Sequence, residues 1–193
     1  MDGVPLKLSI IIGSVREGRF GPKVAHWYHE QAKTFAAFDS EVIDLADYPL
    51  PAALAPFDRP REGAVDRLGT KLAESDAFCV VTPEYNHSFP ASLKHAIDHF
   101  QGEWSAKPVA LVSYGGMAGG LRAAEHLRLV FAELHAPTIR EMVSFHNAWS
   151  SFDAQSNSDE MGGAASAVTT QLCQLEWWAR HLHSARVADP YAF

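Results

Sequence analysis

Short segments rich in apolar residues recur along the chain, and five of them predict β-strands. Continuous runs of about four to eight apolar residues are typical of strands buried on both faces of a parallel sheet. Several of the runs are rich in β-branched residues, which favours strands over helices. The predicted strands cover residues 6–12, 41–45, 77–81, 107–113 and 138–143.

Between these runs, apolar residues recur every three or four positions, which is the period of an amphipathic helix. Pro22 and Pro90 suit the first turn of a helix, where no backbone N–H is needed. The predicted helices cover residues 22–35, 63–74, a segment that follows Pro90, 121–134 and 164–186. The proline-rich stretch 49–60 predicts an irregular surface excursion, and the polar stretch 150–163 predicts a mobile loop.

The alternation of strands and helices predicts an α/β fold with a doubly wound parallel sheet. We expect all 193 residues to form one domain, with a loop and helix over about 146–186 whose role the pattern leaves open. The charges of Arg140 and Glu141 place the last strand at an edge. If the strand order is 2-1-3-4-5, the carboxyl ends of strands one, three and four are neighbours. Ligands bind at this position in open parallel sheets, so the three loops there are the candidate site.

Composition narrows the class of protein. Apolar residues make up 47% of the chain, and no uncharged apolar stretch is long enough to span a membrane. A net charge of −7 argues against nucleic acid as the main partner. The N-terminus lacks the basic and apolar segments of a signal peptide, and Cys79 and Cys173 suggest no disulfide framework. We therefore expect a cytoplasmic protein.

The loop after strand one, residues 13–21, combines features that favour an anion. It contains Ser14, Arg16 and Arg19, and it ends at a helix N-terminus, where free N–H groups and the helix dipole attract negative charge. Arginine adds paired donors that match phosphate oxygens. The loop matches neither the P-loop nor the dinucleotide-binding glycine pattern. A phosphate site is one interpretation, and an ordinary solvated loop is the other.

The loops after strands three and four contain groups suited to a flat ligand. Pro83 ends strand three, because proline cannot donate to a strand ladder, and residues 84–89 add polar and aromatic groups. Residues 115–120 include four glycines, which let the backbone approach a ligand closely and adopt positive φ. Tyr114 is either a core anchor or part of a ligand wall. Each loop alone could be an ordinary connection, but the predicted topology brings all three together.

Taken together, the three loops resemble those of the NADPH-dependent FMN reductase family of flavodoxin-like proteins. The likeness lies in Gly13-Ser14-Val15-Arg16, in Pro83-Glu84-Tyr85-Asn86 with Leu93-Lys94, and in Ser113-Tyr114-Gly115-Gly116. It extends over about residues 6–143 and is weak beyond them. The resemblance implies a flavodoxin-like five-stranded sheet, an FMN cofactor, and NADPH or NADH as co-substrate. Because a flavin carries the electron chemistry itself, no catalytic side chain is assigned.

The resemblance also implies roles for individual residues. The phosphate of FMN would be held by Ser14, Arg16, Arg19, Phe20 and Gly21, and the isoalloxazine ring by Pro83, Glu84, Tyr85, Asn86, Ser113, Tyr114, Gly115 and Gly116. The chain departs from the commoner family pattern at Arg19, where many members have serine, and at Gly21-Pro22, which replaces a frequent asparagine. For Glu84 we favour a structural or interface role over acid–base chemistry.

The activity that the resemblance implies is electron transfer from NAD(P)H through bound FMN to a small acceptor. Flavin, quinone, azo compounds and metal oxyanions are the acceptors considered. A non-enzymatic flavodoxin-type electron carrier is the alternative. A phospho-receiver domain shares the topology but needs acidic residues where this chain has Gly13-Ser14 and Thr82-Pro83, so that class is excluded.

Histidines raise the question of a metal site. The chain has ten, and His95 and His99 lie one helical turn apart. The sequence places no third ligand beside this pair, so we expect no metal. Both residues could instead lie at a subunit surface.

Aromatic residues predict association. Phe89, Phe100 and Trp104 give the segment around the third helix more apolar surface than an exposed edge should carry, and such patches mark interfaces. Trp177 and Trp178 are adjacent, so only one can face the core and the other could meet a partner chain. The family resemblance likewise implies a homodimer or a dimer of dimers.

Overall fold

The five strands form one parallel sheet in the predicted order. The computed structural model describes residues 4–56, 58–153 and 158–192. Its sheet has the order β2-β1-β3-β4-β5, and all neighbouring strands are parallel. The strands are β1 (Leu6–Ile12), β2 (Phe38–Asp44), β3 (Ala77–Pro83), β4 (Val109–Tyr114) and β5 (Thr138–Phe145). The carboxyl ends of β1, β3 and β4 are therefore neighbours, which confirms the predicted convergence of the three loops.

Helices connect the strands and cover both faces of the sheet. Within the described residues they are α1 (Gly21–Ala32), a 3-10 turn (Leu45–Asp47), α2 (Gly63–Glu74), α3 (Ala91–Asp98), α4 (Leu121–Glu133), α5 (Ala148–Ser151) and α6 (Ser158–Ala188). The predicted helices match the observed ones to within a few residues at most ends. No helix among the described residues is both long enough and apolar enough to cross a membrane.

The segment after β5 differs from the prediction. Residues 150–163 were expected to form one loop, but α5 includes residues 150–151 and α6 already begins at Ser158. Glycines and serines make the segment look irregular in the sequence, whereas the backbone is helical from Ser158 onward. The part of the predicted loop at 154–157 lies outside the described residues.

Two apolar layers hold the helices to the sheet. One face of the sheet packs against α1 and α6, through Val24, Tyr28 and Leu172 among others. The opposite face packs against α2, α3 and α4, with Ile97 and Phe131 in the core. Residues of β1, β3 and β4 contribute to both layers in alternation, because successive side chains of a strand point to opposite faces.

The aromatic argument for an interface at α3 is wrong. Phe100 and Trp104 are buried within the chain's own core. The Trp104 ring centre lies 4.7 Å from that of Phe78, and its indole N–H donates to the Ile97 carbonyl at 3.3 Å. The apolar surface assigned to a partner is therefore used to close the second core layer.

The tryptophan pair on α6 also differs from the prediction. Neither Trp177 nor Trp178 is buried: both indoles are exposed, and their ring centres are 5.3 Å apart. Leu172 and Leu175, earlier in the same helix, supply the contacts to the sheet.

Gln171 locks α6 to an irregular part of the sheet. The register between β4 and β5 shifts between Val109 and Leu111, which marks a bulge. The buried Gln171 amide donates to the Leu111 carbonyl at 2.9 Å and to the Glu141 carbonyl at 3.1 Å. A side chain from α6 thus provides hydrogen bonds at the place where the strands pair irregularly.

Side chains also bind backbone oxygens on the two outer strands. The Arg128 guanidinium of α4 donates to the carbonyls of Ile139 and Arg140 on β5, at 2.8 and 3.1 Å. On β2, the Ser40 carbonyl accepts a hydrogen bond from His29 Nε2 of α1 at 3.0 Å. Both outer strands therefore have backbone acceptors that are already occupied.

Candidate functional site

The first loop leaves β1 through a glycine that no larger residue could replace easily. The Gly13 N–H donates to the Val81 carbonyl of β3 at 3.0 Å, and the Gly13 carbonyl accepts from the Ser92 hydroxyl of α3 at 2.9 Å. A Cβ added to Gly13 would lie 2.9 Å from the Leu93 side chain. The absence of a side chain lets the loop start close against β3 and α3.

Ser14 joins the first loop to the second. Its side chain is fully buried, and its hydroxyl lies 2.8 Å from the Tyr85 hydroxyl. The backbone N–H of Arg16 also points to the Ser14 hydroxyl, at 3.4 Å. The sequence predicted Ser14 and Tyr85 as site residues, but it did not indicate the hydrogen bond between their hydroxyls.

The outer part of the first loop has hydrogen-bond donors without a partner in the described part of the chain. Among the described residues, the backbone N–H groups of Val15, Glu17 and Gly18 have no acceptor. The Arg16 side chain is exposed and forms no ion pair within the described part of the chain. Its guanidinium carbon lies 5.9 Å from the centre of the Tyr85 ring. These donors stand just before the N-terminus of α1, so the loop is suited to an anion such as a phosphate.

Arg19 is already engaged by the protein. Its guanidinium contacts the Asp44 carboxylate at the end of β2 at 2.5 Å, and both side chains are largely buried. The Arg19 Nε is buried and has no acceptor among the described residues. The charge of this arginine is therefore balanced by Asp44, unlike that of Arg16.

The second loop makes a tight turn after β3. Tyr85 and Ser88 exchange backbone hydrogen bonds of 2.8 and 3.1 Å. Asn86 and His87 between them have φ values of 48° and 75°. Positive φ at both central residues is the geometry of a type I′ turn, which asparagine tolerates well. The turn fixes the Tyr85 ring beside the first loop.

Glu84 has a structural partner. Its carboxylate accepts hydrogen bonds from the guanidinium and the backbone N–H of Arg122, at 2.5 and 3.3 Å. Arg122 lies in the first turn of α4, where the carboxylate also complements the helix dipole. The geometry agrees with the structural role that the sequence favoured over acid–base chemistry.

The glycine loop after β4 is closely packed. The hydroxyls of Ser113 and Ser144 both donate to the Gly119 carbonyl at 2.8 Å. Gly119 and Gly120 have φ values of 59° and 80°, and a Cβ on Gly120 would lie 2.8 Å from Ser113 Cβ. Only glycine fits these positions without strain.

Tyr114 is a core residue at the end of β4. Its ring is buried, with its centre 6.1 Å from that of Phe20. Burial raises the pKa of its hydroxyl well above the ordinary value. A Cβ on Gly21 would lie 2.9 Å from the Tyr114 hydroxyl oxygen, so glycine allows this close approach at the start of α1.

Sequence reasoning missed the segment that follows β5. The Gly115 N–H donates to the Phe145 carbonyl at 3.1 Å, while the N–H groups of Asn147 and Ala148 donate to the carbonyls of Gly116 and Gly115, at 2.9 and 3.1 Å. Residues 145–148 are thus bound directly to the glycine loop. The asparagine at position 147 was a local signal of a special turn in the sequence, since asparagine tolerates the positive φ of 45° that it adopts.

The parallel sheet has the strand order of flavodoxin-like proteins, and three loops suited to ligand binding meet at the carboxyl ends of β1, β3 and β4. This combination defines the class as flavodoxin-like. Comparison with known families narrows this class. Residues 6–150 match the family described as NADPH-dependent FMN reductase. The chain belongs to this family. The resemblance drawn from the three loops is confirmed, and with it the class: an oxidoreductase that uses FMN and NAD(P)H.

Individual relatives agree with this assignment. The chain is 42% identical over 120 residues to an NAD(P)H-dependent FMN reductase of Schizosaccharomyces pombe, an alignment that covers 59% of this chain and 60% of that protein. The alignment thus spans less than two thirds of that relative. A quinone reductase of Pseudomonas putida is 35% identical over 135 residues, covering 66% of this chain and 71% of its own length.

A solved structure shows the same fold. The flavoenzyme NAD(P)H:acceptor oxidoreductase FerB of Paracoccus denitrificans superposes with a TM-score of 0.66 at 23% identity. The superposition covers 91% of this chain and 98% of that one. At this identity the likeness establishes the fold alone.

Proposed function

We propose that this chain binds FMN across its three loops and passes two electrons from NADPH or NADH to a quinone or flavin acceptor. The overall reaction with a quinone is balanced: NAD(P)H, one proton and the quinone give NAD(P)⁺ and the hydroquinone. When bound, FMN supplies the electron transfer between the two substrates. The names of the yeast FMN reductase and the bacterial quinone reductase support this choice of acceptors.

The unpaired donors of the first loop carry the proposal. Arg16 has no ion pair among the described residues, and the N–H groups of Val15, Glu17 and Gly18 have no acceptor there. A doubly charged phosphate would satisfy these groups, because charge-assisted hydrogen bonds are the strongest kind available to such a loop. We assign Ser14, Arg16 and the amides up to Gly21 to the phosphate.

The second and third loops are assigned to the ring. The turn at Pro83, Glu84, Tyr85 and Asn86 supplies a fixed backbone edge, and the stretch from Ser113 to Gly116 supplies a second one, in which Gly115 and Gly116 have no side chain. We assign Tyr114 and Phe20 to the wall behind the glycine loop, since their rings pack against each other.

Arg19 is given a different role from Arg16. Its pairing with Asp44 supports a positioning function, in which Arg19 ties the first loop to the end of β2. If Arg19 also contacts the phosphate, its guanidinium would bind the phosphate and the Asp44 carboxylate at the same time.

A spectrum tests the proposal directly. The protein should take up FMN and turn yellow, and anaerobic NADPH or NADH should bleach the absorption band within seconds. Bleaching by dithionite but not by either nicotinamide would favour the electron-carrier alternative. A protein that takes up no FMN would end the proposal.

Three further expectations belong to the same proposal: one domain over residues 1–193, a cytoplasmic location, and a homodimer or dimer of dimers. The association now has its support in the family resemblance alone, since Phe100 and Trp104 are core residues. Light scattering at micromolar concentration should give at least twice the chain mass, and a monomer mass would exclude it.

A further inference from the structure

Trp149 is a large aromatic residue left in solvent next to the glycine loop. Its side chain is 58% exposed, although it stands in α5 three residues before Phe152, which packs in the core layer. A Cβ built on Gly116 would lie 3.6 Å from the six-membered ring of the Trp149 indole. The indole therefore lies beside the glycine loop, at contact distance from the space that a Cβ at position 116 would fill, and most of its surface is exposed.

The position of Trp149 is set by the glycine loop itself. The backbone hydrogen bonds from Asn147 and Ala148 to Gly116 and Gly115 fix the two residues before it, at 2.9 and 3.1 Å. His146 Nδ1 adds a bond of 2.8 Å to the Met117 carbonyl. These bonds hold the segment directly before Trp149, so the indole is attached to an ordered backbone, and groups on ordered segments lose less entropy on binding.

Met117 is a second exposed apolar residue, in the glycine loop itself. It follows Gly116 directly, and its side chain is 89% exposed. Methionine side chains are flexible and adapt to ligands of different shape, whereas the indole offers a rigid flat face. A rigid ring and an adaptable thioether beside an electron-transfer site fit a planar aromatic substrate better than a small hydrated anion.

We propose that Trp149 is a specificity-determining residue that stacks on the ring of a quinone-type acceptor. The inference rests on the proposed function, since the acceptor is the substrate of that same site. It narrows the acceptor class, because stacking rewards a flat π-system and gives nothing to a metal oxyanion. Two other roles would explain the exposed indole: a brace for the glycine loop, or a contact with a second copy of the chain.

The test compares Trp149→Ala and Trp149→Phe with Trp177→Ala. Trp177 is a matched control, because its indole is 55% exposed and lies beside Thr138 and Arg140 at the opposite end of β5. Binding of 1,4-naphthoquinone is measured by calorimetry on the oxidised FMN-loaded protein without any nicotinamide, so no turnover occurs. The affinity of the FMN-free protein for FMN is measured in parallel by fluorescence quenching.

The expected result is a loss of about three- to tenfold in naphthoquinone affinity for Trp149→Ala. Trp149→Phe should keep most of the affinity, and Trp177→Ala should match wild type. FMN affinity should be unchanged in all three variants. In turnover, Trp149→Ala should raise KM for the quinone and leave the rate with ferricyanide, a compact anion, unaffected.

Three outcomes would overturn the inference. Equal losses for FMN and naphthoquinone would identify Trp149 as a brace of the glycine loop. Unchanged naphthoquinone affinity in Trp149→Ala would exclude the stacking role. A lower mass of Trp149→Ala by light scattering, with its naphthoquinone affinity unchanged, would assign Trp149 to an interface. Failure of NAD(P)H to reduce the wild-type protein would instead overturn the proposed function, while the nicotinamide-free titration would still decide the role of Trp149.

Discussion

The Ser14 hydroxyl and the Tyr85 hydroxyl lie 2.8 Å apart and form a direct side-chain bond between the loops after β1 and β3. Ser14 is buried, so its hydroxyl has few alternatives to this partner. The bond couples the loop assigned to the phosphate with the loop assigned to the ring. Binding of the phosphate at the first loop should therefore be energetically coupled to binding of the ring at the second.

A double-mutant cycle measures this coupling. Tyr85→Phe keeps the ring and removes the hydroxyl, and Ser14→Ala removes the other half of the pair. Each should lower FMN affinity by about two- to tenfold, the value of one hydrogen bond. The double variant should lose little more than either single variant, because the pair acts as one unit. Fully additive losses would show that the two hydroxyls act independently.

Arg16→Ala tests the phosphate assignment. If the guanidinium binds the phosphate, its loss should cost about 1.5–3 kcal/mol and weaken FMN binding about ten- to hundredfold. Riboflavin has the same ring without the phosphate, so its affinity should hardly change. Titration of both flavins by fluorescence quenching gives the two values, with Arg140→Ala as the control for an exposed arginine remote from the loops. Equal losses for FMN and riboflavin would contradict the assignment.

Gly120→Ala tests the glycine loop. The residue has a φ of 80°, and an added Cβ would lie 2.8–2.9 Å from atoms of Ser113 and Tyr114. Backbone strain and the clash together should lower the free energy of unfolding by about 2–5 kcal/mol. Gly162→Ala is the matched control, because that glycine lies inside α6 with nothing near its added Cβ. Urea unfolding should show the control unchanged or stabilised by about 0.5–1 kcal/mol.

Lys107 predicts a pH dependence of stability that does not involve the flavin site. Its side chain is buried and donates to the carbonyls of Leu72 and Ala73 at 2.8 Å. Burial, followed by the nearby charge of Arg186, lowers the pKa of Lys107 to about 8 from the ordinary 10.5. Between these values the unfolded chain binds more protons than the folded one, so stability rises with pH in this window.

Lys107→Met isolates that effect. The free energy of unfolding of wild type should rise relative to the variant by up to about 1.4 kcal/mol per pH unit above pH 8. Below pH 8 the difference between the two proteins should be flat. Urea unfolding at several pH values from 7 to about 9.5 gives the curve, and parallel curves throughout would show that Lys107 does not titrate in this range.

Local patterns in the sequence were sufficient for the sheet and for the three loops. The run Leu6–Ile12 and the segment Gly63–Glu74 were predicted to the residue, because apolar period and flanking breakers define such elements locally. The loops were predicted because parallel topology brings the ends of β1, β3 and β4 together, whatever their side chains.

Tertiary contacts account for what the sequence did not reveal. In the sequence, Trp104 resembles surplus apolar surface, but in the fold its indole packs against Phe78 and Phe131. From the sequence, Gln171 would be expected on the polar face of the last helix. It is buried instead, because the bulge between β4 and β5 leaves two carbonyls that accept hydrogen bonds from its amide. Trp149 belongs to the site only through backbone bonds between two loops distant in sequence, and no periodicity reports such bonds.

The occupied backbone oxygens on the outer strands limit how this chain can assemble. An exposed strand edge invites a second molecule to continue the sheet, which leads to open-ended polymers. Arg128 holds two acceptors of β5, and His29 holds one of β2, so an incoming strand would have to displace a side chain at either edge. For the proposed homodimer, these contacts favour an interface on helical and loop surfaces, where a closed pair can form, over addition of strands to the sheet.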